Sequence, residues 1–355
     1  MILLFGLIAT LFALWRIGRR TRYFLHVFQL EGYKPNEYAG WTAAHARPHV
    51  FRLSHALGVL LLALGWMGFA AGYGSATALA LLIGWSIAFA SSRLYRKTAV
   101  KKPLAWTDRM KRQAVAVAVL DLLIVGVGAV IGARMTTLAG WWPFLAALLV
   151  ADLGAPLWVL VGGLITRPIE TAVQEGYKKQ ARAKLAARRD LHVIGITGSY
   201  GKTSVKFIVA EILRQRFNVL ATPGSYNTPM GICLVINNKL RPEHQVLVLE
   251  MGMRYRGDIA ELCAIARPDT AIVTSVGVAH LETMGSIEAI AEEKGSLLRH
   301  MKKGGTAILN GDDDRVTAMQ GVQGETIRVS VEGREGADLT ASGIAYGKEG
   351  ATFTV

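Results

Sequence analysis

Gly198-Ser199-Tyr200-Gly201-Lys202-Thr203-Ser204 lies between an apolar, strand-like stretch, Leu191–Thr197, and a helix-like one, Val205–Leu213. A strand, a glycine-rich turn, a lysine followed by a hydroxyl, then a helix N-terminus is the physical recipe for holding a nucleoside triphosphate. Glycines let backbone N–H groups converge on phosphate oxygens, Lys202 adds a point charge, and Thr203 is placed to offer its hydroxyl to Mg²⁺. The expected nucleotide-binding set is Gly198, Ser199, Gly201, Lys202, Thr203 and Ser204. The loop departs from GxxxxGK[ST], because Ile196 occupies the place of the first glycine.

Downstream of this loop, strand-like and helix-like stretches alternate. Val193–Thr197, Val219–Ala221, Val246–Glu250, Ala271–Thr274 and Thr306–Asn310 read as strands. Val205–Arg216, Ile259–Ala266, Ile287–His300 and Asp314–Gln320 read as helices. Near-continuous apolar strands separated by helices predict an α/β P-loop ATPase domain with a mainly parallel sheet. Ligands on such sheets sit at the carboxyl ends of the strands. There the sequence places Glu250 after one strand and His280 after another, while Lys294 lies in the helix beginning near Ser286. A carboxylate is a hard ligand suited to Mg²⁺. A lysine is a cation where a ligand is wanted.

Upstream the chain changes character. The 355 residues are 52% hydrophobic, and the mean hydropathy of +0.32 is concentrated before residue 166. Five apolar runs, Ile2–Trp15, Ala56–Gly72, Ala76–Ser91, Ala114–Ala133 and Leu138–Ile165, predict an α-helical membrane domain of about five spans. In the first run the positive charges follow the apolar stretch, so it reads as a retained anchor, not a cleaved signal. Arg16, Arg19, Arg20, Arg22, Lys34, Arg47 and Arg52 fill the first inter-span loop. Arg93, Arg96, Lys97, Lys101, Lys102, Arg109, Lys111 and Arg112 fill the third. The second loop, Tyr73-Gly74-Ser75, has no Lys or Arg, and the fourth has only Arg134. The positive-inside rule then sets loops one and three, and the ATPase domain, in the cytoplasm of a multi-pass plasma-membrane protein. The net charge of +14 reads as topology and attraction to anionic membrane lipid, and no aromatic-interleaved basic run points to nucleic acid. Asp121 and Asp152, on consecutive spans, are expected to face the bundle as possible neighbours. Cys233 and Cys263 read as small core residues. The expected organisation is a transmembrane domain over residues 1–166, a basic linker helix over 167–190 and the ATP-binding domain over 191–355.

Five motifs carry a resemblance. Gly198–Ser204, Leu249-Glu250-Met251-Gly252, Val276–Glu282, Glu293-Lys294-Gly295 and Asn310-Gly311-Asp312-Asp313 resemble the central ATPase domain of the Mur ligases, above all the D-alanyl-D-alanine-adding branch. The resemblance implies ATP-dependent activation of a carboxylate to an acyl phosphate, which an amine displaces to form an amide. Carried over, Lys202 would hold the β- and γ-phosphates, Thr203 and Glu250 a first Mg²⁺, and Glu250, His280 and Lys294 a second. Lys294 would be carbamylated, which turns a cation into an anionic oxygen ligand, and Asn310 would face the adenine. The catalytic set is thus Lys202, His280 and Lys294, and the metal set Thr203, Glu250, His280 and Lys294.

The loop Thr222–Gly231 corresponds to the family's Thr-x-Gly-Asn-x-Asn-Asn-x-x-Gly, but keeps only Asn227, with Ser225 and Thr228 in place of the other asparagines. By resemblance these three contact the muramoyl-peptide precursor, UDP-linked or lipid-linked, which would receive an amine such as D-Ala-D-Ala. A membrane domain stands where the family's UDP-binding domain is expected, and the sequence reaches Val355 before its C-terminal domain. The expectation is either a truncated product or a partner chain supplying that domain. Two rival readings are an ATP-binding membrane scaffold of envelope synthesis that completes no ligation, and ATP-driven transport, which lacks an accompanying transporter signature.

Overall fold

The computed structural model describes residues 1–90, 103–135, 137–348 and 350–355. The chain divides into two compact units, Met1–Thr171 and Ala172–Val355.

The first unit is helical: α1 (Ile2–Leu30), α2 (Pro35–Ala44), α3 (Leu53–Ala70), α4 (Gly74–Ala90), α5 (Asp108–Arg134), α6 (Trp141–Leu153) and the start of α7 (Ala155–Ala186). Of the described helices, α1, α3 and α5 are long and apolar enough to cross a membrane. The stretch Leu138–Leu153 and α7, bent by 70°, bring the number to four if taken as one broken span. Against the expected five spans, the described residues hold three to four helices long and apolar enough to cross a membrane. Among the described residues the run Ala76–Ser91 is represented by the 17-residue helix α4. The run Leu138–Ile165 is interrupted at Gly154, where Pro156 opens the next helix.

Two arginines expected in the first loop lie elsewhere. Arg16 and Arg20 are inside α1 and buried, each paired with Asp152 of α6, at 2.9 and 3.4 Å. His55 Nε2 meets the same carboxylate at 2.8 Å. Asp152 is thus bonded by Arg16 and Arg20 of α1 and His55 of α3, with Asp121 within electrostatic reach of it. A carboxylate buried among apolar helices demands such neutralisation, which reassigns charges that the positive-inside count had placed in a loop. Arg93, Arg96, Lys97, Lys101 and Lys102 lie outside the described residues. Arg109, Lys111 and Arg112 stand on the first turns of α5.

The second unit is built on a seven-stranded, all-parallel sheet in the order β2-β3-β1-β4-β5-β6-β7. Its strands are β1 (His192–Thr197), β2 (Val219–Ala221), β3 (Val246–Glu250), β4 (Thr270–Val273), β5 (Thr306–Asn310), β6 (Glu325–Ser330) and β7 (Leu339–Thr340). An exposed antiparallel hairpin, β8 (Ser342–Gly347) and β9 (Gly350–Thr354), follows. The connections carry α8 (Lys202–Arg214), α9 (Pro229–Lys239), α10 (Asp258–Ile265), α11 (Leu281–Met284), α12 (Ile287–His300) and α13 (Asp314–Thr317). Every residue of β3 is buried, as a central strand covered on both faces requires. The cores on the two faces draw on Leu247, Leu249, Ile290 and Leu297 on one side and Ile196, Ala210 and Val248 on the other. Cys233 and Cys263 are buried and unpaired in the first of these.

Register places the site. Ile196 pairs with Glu250 across β1 and β3, and Thr197 with Val273 across β1 and β4. Three strands therefore end flush, and the loops after them emerge side by side.

Candidate functional site

The turn after β1 is a backbone necessity. Gly198 has φ +154, and a Cβ there would meet Thr274 Oγ1 at 1.9 Å. Gly201 has φ +80, in the left-handed region that favours glycine, and is the N-cap of α8 with no side-chain cap. The first N–H groups of α8 consequently point into the turn without a capping side chain, which suits an anion. Ser199 ties the turn to the segment after β4: its N–H donates to Ser275 O at 2.8 Å, and its Oγ accepts from Gly277 N at 2.8 Å. Tyr200 N donates to Ser275 Oγ at 3.1 Å. Lys202 Nζ folds back onto the carbonyls of Gly198 and Ser199, at 2.6 and 3.3 Å. Burial lowers its pKa, opposed by Glu250. Ser204 is exposed on the first turn of α8 and does not join this group.

At the end of β3 the buried Glu250 gathers three partners. Thr203 donates its hydroxyl to Oε2 at 2.9 Å, Lys206 Nζ lies 3.2 Å from the same oxygen, and Asn227 Nδ2 donates to Oε1 at 3.0 Å. The Thr203–Glu250 spacing suits Mg²⁺, since two oxygens bound about 2.1 Å from one octahedral ion at right angles lie about 3 Å apart. Among the described residues, no three His, Cys, Asp or Glu side chains gather as a metal-binding group. An ion here would rely on threonine and on a chemically altered lysine beside Glu250 and His280.

His280 has φ +68, a left-handed backbone unusual for a non-glycine residue, and starts α11. Burial lowers its pKa, with further lowering from the nearby charges of Lys294 and Lys202. Lys294 is on α12 and only 2% exposed. Burial pushes its pKa down to about 7, and the charge of Lys202 adds to the shift. Its neighbour Glu293 turns away to accept the N–H groups of Gly257 and Ile259, both at 2.9 Å, at the start of α10. Lys202, His280 and Lys294 therefore share one electrostatic neighbourhood, with Glu250 acting on Lys202.

The remaining expected residues divide. Asn310 donates Nδ2 to Thr274 O at 2.9 Å and accepts Asp312 N at 3.1 Å. One amide hydrogen and one lone pair are left for another partner. Asn227 joins Glu250, while Thr228 caps α9 by accepting Gly231 N at 3.2 Å. Ser225 is exposed in the same loop. Sequence reasoning missed Lys206, which is fully buried. Its signal was positional: three residues after Thr203 and four after Lys202, it shares the phosphate-facing side of α8.

Residues 196–355 match the model of the Mur ligase middle domain. The chain is 34% identical over 201 residues to the UDP-N-acetylmuramoyl-tripeptide--D-alanyl-D-alanine ligase of Escherichia coli K12, covering 54% of this chain and 44% of that protein. It is 43% identical over 148 residues to the enzyme of that name from Synechocystis, covering 41% and 32%. Among solved structures, the MurF ligase of Thermotoga maritima in complex with ADP aligns with a TM-score of 0.47 and 35% identity, over 51% of this chain and 41% of that one. The chain thus spans less than half the length of these relatives. The C-terminal half of the chain is a Mur ligase middle domain, preceded by a helical region with apolar helices.

Proposed function

We propose that the chain is a membrane-anchored, ATP-dependent amide ligase of cell-wall precursor synthesis. The observation that carries this reading is the Thr203–Glu250 contact at 2.9 Å beside the Lys202 turn, with His280 and the buried Lys294 in the same neighbourhood. In this reading the Gly198–Ser204 turn and Lys202 bind the triphosphate, and Asn310 offers its remaining amide hydrogen and lone pair to the adenine. Thr203 and Glu250 would hold one Mg²⁺, and Glu250, His280 and carbamylated Lys294 a second. The ions would neutralise charge as a substrate carboxylate oxygen attacks the γ-phosphoryl group.

The low pKa of Lys294 supports carbamylation, because only the neutral amine adds CO₂. Asn227, Ser225 and Thr228 lie on the loop proposed to face the muramoyl-peptide, and D-Ala-D-Ala is the proposed amine. The apolar helices would anchor the chain in the plasma membrane with the ATPase domain cytoplasmic.

The test is mass spectrometry of full-length protein with ATP, UDP-linked or lipid-linked muramoyl-tripeptide labelled with ¹⁸O in its terminal carboxylate, and D-Ala-D-Ala. The expected result is a pentapeptide product and one ¹⁸O in the released phosphate. ATP binding without product identifies the scaffold alternative, and product formed without label transfer contradicts the acyl phosphate.

A further inference from the structure

Glu250 is held from both sides, and the second holder is Lys206. Lys206 is 0% exposed, and among the described residues its carboxylate contact is Glu250, at 3.2 Å. Its Nζ also donates to the carbonyl of Gly224, and the ring of Phe207 lies 4.4 Å from it. Gly224 sits in the loop that carries Asn227, at φ +50, with no atom near the position of a Cβ. Asn227 in turn grips Glu250 Oε1 at 3.0 Å and accepts Gly252 N at 3.0 Å through its carbonyl. The loop therefore reaches Glu250 twice, once directly and once through the ammonium of Lys206.

We propose that Lys206 is a positioning residue: a resident cation that competes with the divalent ion for Glu250 Oε2 and ties occupancy of that site to the position of the Pro223–Thr228 loop. The inference rests on the ligase reading above. With no ion, the ammonium neutralises the buried carboxylate, which would otherwise be costly. Thr203 and Glu250 would hold a divalent ion through the oxygen that Lys206 now contacts, and the ammonium would then be repelled. Lys206 keeps its bond to Gly224, so the loop loses its Lys206 tether to Glu250 and shifts with the lysine about the remaining Asn227 contact. The loop proposed to receive the acceptor thus senses the loaded metal site.

The experiment titrates Mg²⁺ into full-length protein with the non-hydrolysable nucleotide AMP-PNP, by calorimetry, and follows hydrogen–deuterium exchange over residues 222–231. Removing a competing charge in Lys206→Met is expected to lower the half-saturating Mg²⁺ concentration by about threefold or more. Loop exchange in the variant is expected to be high already without Mg²⁺ and to change little on adding it. Lys206→Arg, which keeps the charge, is expected to retain wild-type Mg²⁺ dependence, and it replaces the methionine variant as the reporter of loop coupling should that one not fold. Unchanged Mg²⁺ half-saturation and unchanged loop response in folded Lys206→Met overturn the proposal, as does an Arg variant with no Mg²⁺-linked loop response. No acceptor or amine is present, so a failure of ligation leaves this result readable. Wild-type protein that binds no Mg²⁺ with AMP-PNP overturns both readings.

Discussion

Lys294 is a lysine that has lost water without gaining a carboxylate bond among the described residues, and the consequences of this can be measured without any substrate. Its folded pKa is about 7 against an ordinary 10.5, so below pH 7 it is charged in both states and the full burial cost is present. Between pH 7 and 10.5 the unfolded chain binds more protons, so this cost falls away as pH rises. Lys294→Met is therefore expected to raise the melting temperature most at pH 6 and much less at pH 9. An equal gain at both values contradicts the buried, depressed lysine. A second prediction concerns Gly252. A Cβ there would meet Asn227 Cγ at 2.7 Å, so Gly252→Ala is expected to push Asn227 off Glu250 and raise the KM for the acceptor with little change in that for ATP. At this scale the site was legible where residue type and chemistry coincide. Lys202, Thr203 and Glu250 were expected as phosphate and metal partners from residue type and spacing, and Thr203 and Glu250 do meet, at 2.9 Å. Lys206 did not, because a lysine in a helix ordinarily extends to water, and only its helical phase placed it against the core.

At the scale of elements, the flush ends of β1, β3 and β4 bring distant residues together, and the helix starts hold them there. Glu293 is the clearest example, accepting two backbone N–H groups from the start of α10 across from α12. Glu293→Ala leaves both donors unpaired, one of them on the buried Ile259, and is expected to cost about 2 kcal/mol. Chemical denaturation of the purified variant checks this, and an unchanged midpoint contradicts the capping role. The first five strands were readable because each is an apolar run bounded by polar turns. β6 escaped because Glu325–Ser330 is half exposed at the sheet's flank, β7 because two residues carry no pattern, and the β8–β9 hairpin because it is exposed. α9 escaped because Pro229 reads as a breaker, whereas it occupies the first helical position behind the Thr228 cap.

At the scale of the whole molecule, an apolar helical region and a nucleotide-type domain occupy one chain. Within the helical region Arg16, Arg20 and His55 converge on one carboxylate, Asp152. Asp152→Leu would take this shared carboxylate from two buried guanidinium groups and is expected to cost about 3–5 kcal/mol, read as early thermal unfolding of the detergent-solubilised protein. An unaltered transition contradicts that pairing. Hydropathy located the apolar runs but could not tell a straight span from one broken at Gly154, nor loop charges from buried ones.

The central claim is that the turn after β1 and the end of β3 together hold a magnesium nucleotide. Equilibrium binding of ATP to the full chain, with and without Mg²⁺, tests it most directly. The account predicts Mg²⁺-strengthened binding that weakens by about tenfold or more in Lys202→Met and loses its Mg²⁺ dependence in Thr203→Ala. Equal affinity in all three proteins, indifferent to Mg²⁺, would contradict it.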